Sequence, residues 1–128
     1  MAFAEMMLGR GTTEAKGFAA SERVLSRPSI ELMTTDHLTP AQKAATRWVP
    51  GAFDAHGWGF GVSVRTRRTE IAGSVGTFGW DGGMGTTLSI DPREGMTTIL
   101  LTQAMWSSPV LPTVAADFAT LAYQAIDD

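Results

Sequence analysis

Trp80-Asp81-Gly82-Gly83-Met84-Gly85-Thr86-Thr87-Leu88-Ser89-Ile90-Asp91-Pro92-Arg93-Glu94-Gly95 is the stretch on which the fold turns. It starts at the end of one expected strand, Ser74 to Trp80, crosses a glycine-rich connection, and enters another, Thr86 to Ile90. Asp91-Pro92-Arg93-Glu94-Gly95 then supplies a turn-initiating Asp, a Pro whose φ is already fixed, and a terminal Gly that tolerates positive φ. A hairpin into a further strand, Met96 to Gln103, follows from that order of residues.

Upstream, the period is two from Gly57. Trp58, Phe60, Val62 and Val64 fall on one face, while Gly57, Gly59, Gly61 and Ser63 fall on the other. This predicts a single strand whose bare face admits another backbone or a ligand, since no side chain beyond a hydroxymethyl stands in the way. Arg65 to Arg68 read as a solvated bend at a hairpin end in preference to an anion site. Before residue 50 the pattern is helical. Phe3, Met6 and Met7 form an apolar stripe in a helix over 2–8, and Gly9 to Ala20 read as a loop. Ser26-Arg27-Pro28 opens a second helix with Ile30 and Met33 as its buried stripe, and Thr39-Pro40 begins a short turn or helix. Beyond Pro109 and Pro112, Val114, Phe118, Leu121 and Ala125 predict an amphipathic helix over 112–125.

The resulting fold class is α+β, an antiparallel β-sheet flanked by helices. It forms one domain over 1–128: a helical segment over about 1–50, strands over about 57–103, and a C-terminal helix. Composition narrows the function classes. Ten basic and 13 acidic side chains in 128 residues give a net charge of −3, which supplies no positive field for a phosphate backbone, so nucleic acid is not expected as a partner. The absence of cysteine removes disulfides, thiolate metal sites and a cysteine nucleophile together. No apolar run reaches the roughly 18 residues of a membrane-spanning helix, and the acidic start of the chain lacks the pattern of an export signal, so a cytoplasmic protein without a membrane partner is expected.

His37 and His56 stand far apart without a carboxylate or a second His at ligand spacing, so no metal or other cofactor is expected. A triad of Ser63, His56 and Asp54 is rejected, because no nucleophile-elbow pattern supports it.

Taken together, Trp80-Asp81-Gly82-Gly83, Gly57-Trp58-Gly59-Phe60-Gly61, Leu88-Ser89-Ile90-Asp91-Pro92 and Met96 to Gln103 resemble the C-terminal part of a beta-lactamase-like serine hydrolase. Phe3 to Met7 and Leu25 to Met33 resemble the helices that precede it. The resemblance covers nearly the whole chain but only the final portion of a full-length member, and it implies the C-terminal portion of a beta-lactamase/transpeptidase-like fold. In that family an inner strand carries Lys-Thr-Gly or His-x-Gly along the substrate cleft. Here the triplet is Trp80-Asp81-Gly82. By this resemblance Trp80, Asp81 and Gly82 bind substrate, and the Gly83 amide is one of two oxyanion donors.

Trp80 stands where the family has Lys or His. An indole carries no charge, so recognition of a substrate carboxylate by this residue is not expected, and the resemblance leans towards carboxylesterases acting on small ester or beta-lactam-like substrates. Neither Ser-x-x-Lys nor Tyr-x-Asn occurs in the chain. The expectation is therefore a fragment whose acyl-enzyme chemistry is completed by a nucleophile and base outside it, and which is inactive alone. The alternative is a non-catalytic sheet-and-helix module that binds a partner or forms a homo-oligomer through exposed sheet surface.

Overall fold

The computed structural model describes residues 2–13, 22–46 and 49–127. In chain order it contains α1 (Ala2–Leu8), β1 (Thr12–Thr13), β2 (Glu22–Arg23), α2 (Arg27–Met33), α3 (Pro40–Ala45), β3 (His56–Trp58), β4 (Ser63–Arg65), β5 (Phe78–Gly82), β6 (Thr86–Asp91), β7 (Met96–Leu101) and α4 (Thr113–Gln124). β3 to β7 form a five-stranded antiparallel meander in sequence order, and β1 and β2 form a separate two-stranded ribbon. No helix among the described residues is long and apolar enough to cross a membrane.

Register sorts the sheet into two faces. Gly57, Val64, Phe78 and Ile90 stand opposite one another across four strands, and Val64, Phe78 and Ile90 are buried there. Ala4, Met6 and Met7 of α1 and Ile30 of α2 complete this core. Each Val, Ile, Phe or Met side chain so withdrawn from water contributes about 1.5–3 kcal/mol. The neighbouring row, Trp58, Ser63, Gly79, Ser89 and Thr98, points to the opposite face. α4 reaches this side through Tyr123, whose hydroxyl donates to Asp91 Oδ2 at 2.6 Å.

The caps follow local chemistry. Ser26 Oγ accepts from Ser29 N at 3.2 Å with Pro28 in the first turn of α2. Thr39 and Gln42 form a reciprocal capping box on α3.

Several expectations are corrected. The period-two run from Gly57 is not one strand but a hairpin, β3 and β4, which turns at 59–62. Gly59 lies against the Met33 carbonyl so closely that a Cβ would overlap it, and Phe60 N donates to that oxygen at 2.9 Å. The end of α2 therefore holds the turn, a contact that alternation along the strand cannot reveal. Phe60 is consequently exposed and stacks on His37, with ring centroids 4.5 Å apart. The strand expected over Ser74 to Trp80 begins only at Phe78, because Ser74 is buried in a turn where its N–H donates to Asp91 Oδ2.

The stripe expected on α4 is misplaced. Val114 and Leu121 are exposed, whereas Ala115 and Tyr123 are buried, since the face carrying the tyrosine hydroxyl is drawn to Asp91. In α1 Phe3 is half exposed and Ala4 takes its place in the core. The helical segment over about 1–50 also holds β1 and β2, and Thr12 and Thr13 of the expected 9–20 loop lie in β1; that loop lies outside the described residues from 14 on. Arg65 is not a solvated bend residue: it belongs to β4 and its side chain is only 12% exposed.

Candidate functional site

A cavity of about 640 Å³ opens on the sheet face opposite the main core. β3 and β4 contribute His56, Trp58, Ser63 and Arg65 to it, by the alternation that turns Gly57 and Val64 to the other side. β5 contributes Gly79, Trp80 and Asp81, and Gly83 follows at the hairpin end. The far rim is the segment between β7 and α4, including Trp106 and Leu111. Trp106 N donates to Gly83 O at 2.8 Å, and Thr102 bonds Gly85 O through both its N–H and its hydroxyl, so this rim is fastened to the β5–β6 turn.

Of the four residues singled out in the sequence, Trp80, Asp81 and Gly83 line the cavity. Gly82 does not, because its open side faces Thr86 Oγ1. A Cβ at Gly83 would meet nothing within 4 Å, so the backbone there borders open space. The positive φ of this turn falls on Gly85, at 85°, rather than on Gly82 or Gly83. Trp80 meets Trp58 edge to face with centroids 4.7 Å apart, a geometry worth about 0.5–1.5 kcal/mol beyond its area. Crowding by the walls raises the Asp81 carboxyl above its ordinary pKa, although the residue keeps exposed surface at the mouth.

The polar end of the cavity was not legible as a site. Burial lowers the pKa of His56, and the Arg65 charge lowers it further. Arg65 Nη2 bonds Glu70 Oε1 at 2.8 Å. Ser63 shares the cavity with His56, but no hydrogen bond joins them among the described residues and Asp54 is not part of the lining, so no triad is assembled.

Two further carboxylates set the geometry. Asp36 accepts from Leu38 N and Trp58 N, both at 3.0 Å, and pairs with Lys43 Nζ at 2.6 Å. Burial raises its pKa, but Lys43 and the two amides outweigh that and hold it below its usual value. Gly57 is required beside it, since a Cβ there would overlap the Asp36 carboxylate. Asp36 thereby fixes Trp58 in the cavity wall. Asp91 is almost wholly buried and accepts from Ser74 N, Arg93 N, Glu94 N and Tyr123 Oη. It ties the approach to β5, the β6–β7 turn and α4 together.

His37 Nε2 lies 2.8 Å from Leu32 O and the ring stacks on Phe60, a structural placement away from the cavity. Among the described residues no group of three or more metal-ligating side chains occurs.

A family model described as Beta-lactamase matches residues 11–119. Among curated proteins, Protein Rv1367c of Mycobacterium tuberculosis (strain ATCC 25618 / H37Rv) is 35% identical over 111 residues, which covers 79% of this chain and 25% of its own length. Uncharacterized protein MT1414 of the CDC 1551 / Oshkosh strain matches to the same extent. Among solved structures, simvastatin synthase (LovD) from Aspergillus terreus, unliganded and selenomethionyl, superposes with a TM-score of 0.71 at 18% identity, over 98% of this chain and 33% of that one. The LovD6 mutant of the same enzyme gives 0.70 at 18% identity, over 95% and 31%. The chain thus spans about a quarter of the curated relatives and about a third of the structural neighbours.

Proposed function

This chain belongs to the beta-lactamase family, and we propose that it is the cleft-forming C-terminal portion of a serine hydrolase of carboxylesterase type that works through an acyl-enzyme. The observation that carries this reading is the placement of Trp80, Asp81 and Gly83 along one cavity with the Gly83 backbone bordering open space. In the reading, an ester or beta-lactam-like substrate lies along β5 with its apolar part against Trp58 and Trp80. The Gly83 amide holds the developing oxyanion, while Gly82, turned towards Thr86, leaves the strand thin behind the acyl group. A preorganised N–H is effective because it is aimed before charge develops, and one such donor contributes on the order of 3 kcal/mol in the transition state. The nucleophilic serine and its base belong to polypeptide outside this sequence, which contains neither Ser-x-x-Lys nor Tyr-x-Asn.

The test uses p-nitrophenyl butyrate and a fluorophosphonate label. The chain alone is expected to show no turnover and no labelled serine. A longer protein in which a Ser-x-x-Lys segment precedes it is expected to show both, and Gly83→Pro in that protein should lower acylation by roughly a hundredfold or more. Labelling of a serine within this chain, or unchanged acylation in Gly83→Pro, would refute the assignment. The second reading, a self-associating module without catalysis, is favoured by one observation, the 74% exposure of Leu101 on the edge strand β7.

A further inference from the structure

Gly82, Gly83, Met84 and Gly85 connect β5 to β6, and the residues of this turn do not by themselves fix the direction of any one amide. Glycine at 82 and 83 leaves φ and ψ wide ranges, and neither position has a side chain to pack. The direction is fixed from outside. In a trans peptide the carbonyl and the N–H that follows it point opposite ways, so whatever holds Gly82 O also aims Gly83 N–H. Gly85 N donates to Gly82 O at 2.9 Å, and Trp106 N donates to Gly83 O at 2.8 Å, so the peptide planes on both sides of Gly83 are held. Gly83 N–H itself has no acceptor among the described residues, which leaves it available to a ligand.

Both clamps lead to one residue. Thr102, just past the end of β7, donates to Gly85 O through its N–H at 2.9 Å and through Oγ1 at 2.8 Å. The same hydroxyl accepts from Ala104 N at 3.4 Å and so joins the turn to the segment that carries Trp106. Gly85, with φ at 85°, permits this approach: a Cβ there would overlap Thr102 Oγ1 and the Ala104 carbonyl. Thr102 neither belongs to the hydrophobic core nor lines the cavity, so its hydroxyl adds little packing and meets no substrate.

We propose that Thr102 is a positioning residue of the acyl pocket: its hydroxyl holds Gly85, Gly85 holds the Gly82 carbonyl, and the Gly83 amide is thereby aimed at the oxyanion before charge develops. This rests on the hydrolase reading for the role of the amide. Charge of that kind forms only on the way to the tetrahedral intermediate, so a poorly aimed amide lowers kcat and leaves KM nearly unchanged. A purely structural defect would instead lower stability and leave kcat per folded molecule as it was.

Thr102→Val tests this, because it keeps the shape and the N–H bond and removes only the hydroxyl. Amide hydrogen exchange, followed by NMR on the chain alone, reads the clamps without turnover. The Gly85 and Trp106 amides are expected to exchange about tenfold faster in Thr102→Val, with those paired between β6 and β7 unchanged, and Thr102→Ser should keep the parental rates. In a longer protein in which a Ser-x-x-Lys segment precedes this chain, Thr102→Val should lower kcat for p-nitrophenyl butyrate about tenfold with KM within about twofold, and Thr102→Ser should retain activity. Thr102→Ala removes the same hydroxyl and takes the place of Thr102→Val if that variant does not fold. Unchanged exchange at Gly85 and Trp106 overturns the proposal whatever the longer protein does. An active longer protein whose kcat is unaltered by Thr102→Val, or is lost equally in Thr102→Ser, overturns it as well and leaves the hydrolase reading standing. A longer parent protein without turnover refutes the hydrolase reading itself and takes the proposal with it.

Discussion

Asp91 shows how one buried carboxylate is kept charged. Burial opposes its ionisation, but Tyr123 Oη, Ser74 N–H and Glu94 N–H favour the anion, and its pKa falls from 3.8 to about 2. A folded pKa below the unfolded one means stability that is present above about pH 4 and lost as the pH falls through about 2. The gap corresponds to about 2 kcal/mol at neutral pH. Burial and the Asp91 charge push Tyr123 the other way, from 10.0 to about 12. Its contribution is complete below pH 10 and disappears as the pH rises through about 12. Urea unfolding from pH 2 to 7 should therefore show acid sensitivity that Asp91→Asn lacks, and that variant should be less stable at pH 7 by about 1–3 kcal/mol. Tyr123→Phe should cost about 1–2 kcal/mol at pH 7 while keeping the cavity's ligands, because Tyr123 does not line it. An Asp91→Asn protein as stable as the parent at pH 7 would contradict this account.

At the level of elements, the turn between β3 and β4 depends on α2. Gly59→Ala should cost about 1–3 kcal/mol, since its Cβ would overlap the Met33 carbonyl and push the hairpin off the helix. Gly83→Ala, with open space and no positive φ, should stay within about 0.5 kcal/mol of the parent. Thermal melts of the two variants test the contrast, and a Gly83→Ala protein as unstable as Gly59→Ala would overturn the view that residue 83 borders a void. The same pair explains what the sequence could reveal. The β6–β7 hairpin was legible because Asp91, Pro92 and Gly95 encode the turn locally, and the capped starts of α2 and α3 were legible for the same reason. The β3–β4 hairpin was not, because alternation continues through residues 57–64 and only contact with Met33 breaks it. Trp80, Asp81 and Gly83 could be singled out from a short motif. Arg65 could not, because its burial depends on Glu70 and Gly73 folding back over it.

Across the whole molecule, the two sheet faces are unequally served. α1 and α2 cover the Val64–Phe78–Ile90 face, while β7 ends the meander as a six-residue edge strand carrying neither charge nor proline. Such an edge presents unpaired backbone groups to any strand that approaches, and it lacks the residues that normally discourage pairing. Leu101 is 74% exposed on it and Leu121 64% exposed on α4. The longer relatives have three quarters of their length beyond the matched region, polypeptide that can cover surfaces of this kind. In its absence the chain is expected to pair with itself. Sedimentation velocity between about 5 and 200 μM should show mass rising with concentration, and Leu101→Lys should hold the chain monomeric by placing a charge on the edge. A parent chain that remains monomeric across the range would show that the β7 edge is not adhesive, and the non-catalytic self-association reading would fall with it.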